Sequence, residues 1–166
     1  GWDRGHLCPS GDRTSDEESN AETFSLANVH PQQHDLNAGP WERLEENARE
    51  LARTGWVLWI AAGGLYEGSP RTIGRGVAVP SSSWKVLIAV PRSYRQAPLV
   101  ALAKSPGEAK IIAVIMPNVT GISREPFARY QVTVDEVERR TGYDFFRRLP
   151  AAVQDELEAR APSTSW

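Results

Sequence analysis

Two stretches decide how this chain folds: DRGHLCPSGDRT at residues 3–14 and NVHPQQHDLNAGPWERLE at residues 28–45. The first is expected to form a strand that carries His6. The residues after it, 9–23, are rich in Ser, Asp, Glu, Asn and Gly and predict an exposed loop. A short apolar run over residues 24–29 then predicts a second strand. The two strands would form a hairpin.

A helix is predicted to follow the hairpin. Pro40 suits the first turn of a helix, and Gly55 is a typical residue just after a helix ends. Between them apolar residues recur at spacings of three and four, at Trp41, Leu44, Ala48 and Leu51. The sequence therefore predicts a ββα unit over about residues 1–54.

Beyond this unit the pattern is typical of a sheet followed by helices. Apolar runs rich in β-formers predict strands at residues 56–62, 76–79, 84–90 and 110–116. Thr133 followed by Glu136 is a capping-box pattern for a helix that Gly142 ends, and residues 151–160 predict another helix. We expect a single α+β domain over residues 1–166, with a mainly antiparallel sheet and flanking helices.

Composition limits the classes of protein. The chain has 166 residues, 40% of them hydrophobic, which is enough for one domain with a sizeable core. The longest apolar run, residues 56–62, is far shorter than a membrane-spanning helix requires, so no membrane partner is predicted. Cys8 is the single cysteine, which excludes an intrachain disulfide and makes a cysteine-based zinc site a poor interpretation.

Charge is distributed unevenly although the net charge is only −2. Residues 1–55 hold 5 Lys and Arg against 11 Asp and Glu, a net −6, whereas residues 56–166 hold 14 against 10, a net +4. The first part suits a cation and the second suits phosphates. Only three of the 19 basic residues are lysine, and arginine matches phosphate oxygens in a bidentate way. A GC-rich genome would produce the same excess of arginine.

Candidate catalytic residues cluster in the first 49 positions. His6, Asn37 and the pair Glu45 and Arg49 are each ordinary alone, as a solvated histidine, a turn residue and a surface ion pair. In a ββα unit, however, His6 would lie opposite the start of the helix, close to Asn37. Glu45 and Arg49 would share one helix face. Hydrolysis of a phosphodiester needs a base, a metal ion and cationic support, and this unit supplies a candidate for each.

These residues resemble the DNA/RNA non-specific endonucleases of the ββα-metal, or His-Me finger, superfamily. Residues 3–14 are similar to the DRGH block of that family, and residues 28–45 are similar to its block of Asn, Pro-Gln, Asn, Trp and Leu-Glu. The segments GVAVPSSSWKVLIA at residues 76–89 and VDEVERRTGYDFFRRLP at residues 134–150 resemble its later core segments. The resemblance covers nearly the whole chain.

The resemblance implies a role for each candidate residue. His6 would be the general base that activates water, and Asn37 would be the direct protein ligand of a Mg2+ ion, for which Mn2+ or another divalent ion could substitute. Glu45 would bind the waters of that ion, and Asn28 would support the geometry of the site. Charge on the phosphate would be neutralised by Arg4 and Arg49. The implied activity is sequence-nonspecific cleavage of DNA and RNA to products with 5'-phosphate ends.

The resemblance also bears on partners and location. Members of the family usually have several tens of residues before the DRGH block, so we expect either a homodimer or pairing with a missing N-terminal segment at an exposed sheet edge. An inhibitor protein is conceivable. From the resemblance alone, a secreted or periplasmic location is expected.

Three other interpretations stay open at this point. One is a catalytically silent nucleic-acid-binding or partner-binding domain on the same fold. Another is a transition-metal site of His6, His30 and His34, although Pro31 argues against a helix there. The third concerns contacts of the surface with nucleic acid. Tryptophans could stack on bases, but their positions in apolar patterns favour core packing for Trp41, Trp56, Trp59 and Trp84. Arginines in loops are candidates for phosphate contact, namely Arg71, Arg75, Arg92, Arg95 and Arg124.

Overall fold

The computed structural model describes residues 1–162. Its strands are β1 Asp3–His6, β2 Val29–Gln32, β3 Trp56–Leu65, β4 Thr72–Ile73, β5 Val77–Ala78, β6 Ser82–Pro91, β7 Lys110–Pro117 and β8 Gln131–Val132. Its α-helices are α1 Glu17–Glu22, α2 His34–Leu36, α3 Glu42–Arg53, α4 Pro98–Lys104, α5 Val134–Thr141 and α6 Ala151–Glu158. The predicted α+β class is confirmed.

Within residues 1–162 these strands form three sheets. β1 pairs with β2, β4 pairs with β5, and a four-stranded sheet has the order β3-β6-β7-β8. The pairs β1–β2, β4–β5 and β7–β8 are antiparallel. Strands predicted at residues 56–62, 84–90 and 110–116 correspond to β3, β6 and β7, and the run at 76–79 contains the two-residue β5. Strand β8 and helix α4 were not predicted.

The second strand of the hairpin was predicted in the wrong place. Residues 26–28 form a 3-10 turn, and β2 occupies Val29–Gln32. The apolar run misled the prediction because Phe24 and Leu26 are exposed, at 54% and 85%. The buried face of the true strand carries His30 and Gln32 instead, so apolar character did not mark the strand.

The loop predicted at residues 9–23 also contains more structure than expected. It includes a 3-10 turn at Ser10–Asp12 and helix α1. The side chain of Asp16 caps α1 by accepting from the amide of Ser19 at 2.7 Å. A polar segment thus forms a helix through its cap rather than through an apolar face; nearly all of the segment is exposed or half-buried, as predicted.

The predicted helix after Pro40 is confirmed, with an irregular entry. Its positions Trp41, Leu44, Ala48 and Leu51 are all buried. Before α3 the residues Asn37–Trp41 form a wider π turn, which Gly39 interrupts with non-helical angles of φ −122° and ψ −120°. A Cβ at this glycine would lie 2.9 Å from the Cα of Ser123, so the close approach of that loop requires glycine.

Helices α5 and α6 agree with the sequence prediction. Thr133 caps α5 by accepting from the amide of Glu136 at 3.1 Å. Gly142 ends it in the left-handed region, at φ +75°, where glycine carries no penalty. Helix α6 ends at Glu158.

The structure divides into two compact units, which are described separately. The first contains residues 1–46, 62–83 and 116–127; the second contains residues 47–61, 84–115 and 128–166, of which 163–166 lie outside the described residues. The expectation of one domain with a ββα unit over about residues 1–54 stays a prediction. Within residues 1–162 no helix has the length and apolar character needed to cross a membrane.

Candidate active site

Strand β1 presents two of the predicted site residues on one face. Arg4 and His6 are two residues apart, and alternate side chains of a strand point the same way. Arg4 is exposed and His6 is half-buried. Gly5 between them pairs with His30 and lies under the side chain of Gln32: a Cβ there would be 2.0 Å from Gln32 Oε1. Glycine at this position therefore leaves room for the side chain of Gln32.

His6 has an unusual environment for a histidine. Its Nε2 is buried and has no hydrogen-bond partner among the described residues. Its ring makes a T-shaped contact with that of Phe24, with ring centroids 5.0 Å apart and planes at 88°. The main-chain carbonyl of His6 accepts from Trp41 Nε1 at 3.2 Å, which ties β1 to the start of the helix. A buried ring nitrogen without a partner is uncommon, and it is a chemically available proton acceptor or donor.

Asn28 fastens the chain that leaves β1. Its Oδ1 accepts from the amide of Cys8 at 3.0 Å, and its Nδ2 donates to the carbonyls of Cys8 and Thr23, each at 2.8 Å. The main-chain carbonyl of Asn28 also accepts from the amide of Leu7 at 2.9 Å. The Asn28 side chain therefore forms hydrogen bonds with the backbone at both ends of the connection between β1 and β2. The supporting role expected for Asn28 stays a prediction.

Asn37 is joined to β1 through Asp3. Asn37 Nδ2 donates to Asp3 Oδ2 at 3.0 Å, and the same oxygen lies 2.9 Å from Nδ1 of His34. The bond uses the amide nitrogen of Asn37, so its side-chain oxygen takes no part in it. Asp3 is not among the site residues predicted from the sequence; its place in the DRGH block is the signal that could have identified it.

Asp3 keeps a negative charge beside Asn37. Burial alone would raise the pKa of Asp3, but the hydrogen bonds from His34 and Asn37 outweigh burial and hold the pKa below its ordinary value. The His34 side chain is 75% exposed, whereas that of Asp3 is 31% exposed. A fixed carboxylate behind an amide ligand raises the electron density that the ligand offers to a cation.

Glu45 and Arg49 occupy successive turns of α3. Glu45 follows Trp41 by one turn, and the Trp41 indole reaches the carbonyl of His6, so this helix face begins next to β1. Both Glu45 and Arg49 are half-buried and both make interactions with other groups. Glu45 belongs to the first compact unit and Arg49 to the second. The two residues are four positions apart on the same helix, which makes them neighbours on its surface.

The three histidines do not form a metal site. His30 is buried, with Nε2 3.0 Å from Ser83 Oγ, whereas His34 is exposed and bound to Asp3. Within residues 1–162 no group of His6, His30 and His34 comes within ligand distance. The transition-metal interpretation was therefore wrong.

Surface residues follow the sequence expectations in part. Trp41 and Trp84 are buried, but Trp59 is 38% exposed and so is not a core residue. Arg71 lies over the ring of Trp2, 5.6 Å from its centroid. Contact with phosphate would require exposed side chains. All five loop arginines are exposed, namely Arg71, Arg75, Arg92, Arg95 and Arg124.

Comparison with known proteins identifies relatives along almost the whole chain. A family model described as DNA/RNA non-specific endonuclease matches residues 1–152. A nuclease of Nostoc sp. is 37% identical over 160 residues, which is 96% of this chain and 56% of the relative. The mitochondrial nuclease EXOG of Danio rerio is 34% identical over 149 residues, 90% of this chain and 43% of the relative.

A solved structure supports the same assignment. The crystal structure of the EndoG/EndoGI complex, described as revealing the mechanism of EndoG inhibition, matches with a TM-score of 0.75 and 26% identity. The match covers 90% of this chain and 61% of that one. The chain thus spans about half the length of the curated relatives it matches.

Proposed function

We propose that this chain, which belongs to the DNA/RNA non-specific endonuclease family, hydrolyses phosphodiester bonds of DNA and RNA in a Mg2+-dependent reaction. The observation that carries the proposal is the buried Nε2 of His6, which has no hydrogen-bond partner within residues 1–162. Histidine is the side chain that exchanges protons near neutral pH. On the same strand, Arg4 provides positive charge on the same face as His6.

His6 would act as the general base. A neutral imidazole nitrogen accepts a proton from water as the water oxygen attacks phosphorus, which leaves the histidine protonated. Phe24 packs against the imidazole ring, and Trp41 donates to the main-chain carbonyl of the same residue, which holds the backbone that carries His6. A base held in place loses little entropy on reaching the transition state.

The residues around Asn37 fit a hard divalent cation. An amide oxygen is a suitable ligand for Mg2+ or Mn2+, and the Asn37 nitrogen is already occupied by the Asp3 carboxylate. Asn37 would hold the ion directly, and Glu45 would bind its waters. When bound, the ion would polarise the phosphate and stabilise charge on the leaving oxygen.

The arginines would complete the site. Arg4 and Arg49 would neutralise the phosphate as negative charge accumulates on it. Attack on phosphorus with loss of the 3' oxygen leaves a 5'-phosphate on one product and a 3'-hydroxyl on the other. A site that contacts mainly phosphate and sugar reads little sequence, which supports cleavage without sequence preference.

Partners and location belong to the same proposal. The similarity to the EndoG/EndoGI complex supports an inhibitor protein as a partner. A homodimer, or pairing with a further N-terminal segment, and a secreted or periplasmic location remain predictions from the resemblance.

The decisive experiment is a cleavage assay on plasmid DNA and on RNA. Wild type with Mg2+ should cleave both, EDTA should abolish cleavage, and His6→Ala should lower kcat by roughly 100-fold or more while the circular dichroism spectrum is unchanged. End-labelling of the products would report the 5'-phosphate. Equal activity of His6→Ala and wild type would refute the mechanism.

A matched pair of arginines tests the cationic support. Arg49→Ala should reduce activity, whereas Arg53→Ala should not. Arg53 lies one turn later and makes an exposed ion pair with Glu50. DNA binding that persists in EDTA without any cleavage would instead favour the silent binding domain.

A further inference from the structure

A cluster of three acidic residues lies in the second compact unit, and none of them is among the site residues predicted from the sequence. Asp135 and Glu138 are three residues apart on α5 and therefore share a helix face. Glu158 is the last residue of α6. One carboxylate oxygen from each of these three residues lies within 4.8 Å of the other two. Three like charges at this distance repel unless something neutralises them.

Glu158 distinguishes this cluster from a group of exposed acidic residues, because its side chain is buried. The residue is only 8% exposed, and its Oε1 is buried with no hydrogen-bond partner in the described part of the chain. Burial, followed by repulsion from Glu138, Asp135, Asp144 and Asp155, raises the pKa of Glu158 to about 7. A buried carboxylate that lies beside two other carboxylates, and has one oxygen without a donor, is costly in its charged form unless a cation is bound.

We propose that Asp135, Glu138 and Glu158 bind a Ca2+ ion that fastens α6 to α5. The site contains oxygen ligands without histidine or cysteine, which excludes the usual zinc chemistry. Ca2+ takes six to eight oxygen ligands in flexible geometry and is commonly held by several carboxylates, whereas Mg2+ keeps most of its waters and is usually held by only one or two carboxylates. Three carboxylates that converge within 4.8 Å therefore favour Ca2+.

Exposure around the cluster suits an ion that enters from solvent. Asp135 is exposed, Glu138 is half-buried and Glu158 is buried, so one side of the site is open to water. Water would complete the six to eight ligands that Ca2+ requires. Exposure to solvent therefore decreases from Asp135 to Glu158, the residue that carries the oxygen without a hydrogen-bond partner.

The ion would also affect the segment that follows α5. Glu138 Oε1 accepts from the amide of Phe145 at 2.7 Å. The Phe145 ring in turn meets Trp84, with centroids 5.6 Å apart. Fixing the Glu138 carboxylate would therefore also fix the chain between α5 and α6, and the role of the ion would be structural rather than catalytic.

The test is a Ca2+ titration followed by thermal unfolding and isothermal calorimetry. It uses the Asn37→Ala variant as background, so that binding at the proposed catalytic site does not contribute. Ca2+ at about 100 times its Kd should raise Tm by about 5–10 °C. Introducing Glu158→Gln should abolish both the heat of binding and the rise in Tm.

Two further variants test whether the response depends on the cluster. Glu156→Gln is the matched control, because Glu156 lies on the same helix but pairs with Arg160 outside the cluster, so the response should remain. Asp135→Asn alters an exposed ligand that the fold tolerates, and it should weaken Ca2+ binding at least about 10-fold. Absence of Ca2+ binding in the Asn37→Ala background, or an undiminished response in Glu158→Gln and Asp135→Asn, would overturn the proposal.

Discussion

Asn37 Nδ2 donates to Asp3 Oδ2 over 3.0 Å, and this bond joins strand β1 to the segment that leads into α3. The two residues are 34 positions apart in the chain. The bond uses the amide nitrogen of Asn37 and not its side-chain oxygen, the atom proposed to bind the metal ion. Under the proposed function Asp3 would therefore be a positioning residue, acting through Asn37 rather than on substrate.

Asp3→Asn should weaken metal binding more than it slows the chemical step. The new amide can still accept from Asn37, but it lacks the negative charge, so the hydrogen bond that orients the Asn37 amide is weaker. We expect the Mg2+ concentration for half-maximal cleavage to rise by roughly 10–100-fold, with a smaller effect on the rate at saturating Mg2+. Asp16→Asn is the control: asparagine caps a helix as well as aspartate does, so its Mg2+ dependence should match wild type. An unchanged Mg2+ dependence in Asp3→Asn would remove Asp3 from the site.

Gly5→Ala should destabilise the protein through the β1–β2 pair. The added Cβ would overlap Gln32, which is fully buried and donates from Nε2 to Ser83 Oγ at 3.0 Å. We expect a loss of about 1–3 kcal/mol in the free energy of unfolding, measured by urea denaturation. Gly107→Ala, where a Cβ meets nothing within 4 Å, should have little effect. Adding Gln32→Ala to Gly5→Ala should recover part of the loss, and strict additivity would contradict the clash.

Asn28→Ala should loosen the connection after β1. It removes three side-chain hydrogen bonds and leaves the Cys8 amide without its acceptor. The free energy of unfolding should fall by about 2–3 kcal/mol, and the Cys8 amide should exchange hydrogen faster. For comparison, Ser25→Ala removes only an exposed bond of 3.4 Å and should change stability by less than about 0.5 kcal/mol. Similar values for the two variants would show that Asn28 does not fasten the hairpin.

Glu158→Gln should stabilise the protein at neutral pH when Ca2+ is removed with EGTA. The folded pKa of about 7 exceeds the ordinary value of 4.5, so the folded state retains a proton that the unfolded state releases. Stability of wild type therefore falls as pH rises from about 4.5 to about 7. The variant should gain on the order of 2 kcal/mol at pH 8 and nothing near pH 4, by urea denaturation at both pH values. A gain that is independent of pH would contradict this origin.

The sequence by itself determined the elements whose pattern is local. The spacing of Trp41, Leu44, Ala48 and Leu51 predicted helix α3 because burial repeats with the helical period. Continuous apolar runs predicted β6 and β7 because consecutive residues of these strands are buried. Thr133 and Gly142 marked the ends of α5 through backbone chemistry confined to a few residues. The residue types of DRGH and of the segment around Asn37 likewise indicated a hydrolytic site.

Only the tertiary structure decided which polar groups meet. Strand β2 was misplaced because His30 and Gln32 are buried through Ser83, a partner about 50 positions away that no local pattern reveals. The Asp3 contact with Asn37 and the closeness of Glu158 to Asp135 depend on the same kind of long-range approach. Burial and hydrogen bonding set the charge of these carboxylates, and both are properties of the folded chain. The sequence supplies the groups, and the fold determines their partners and protonation.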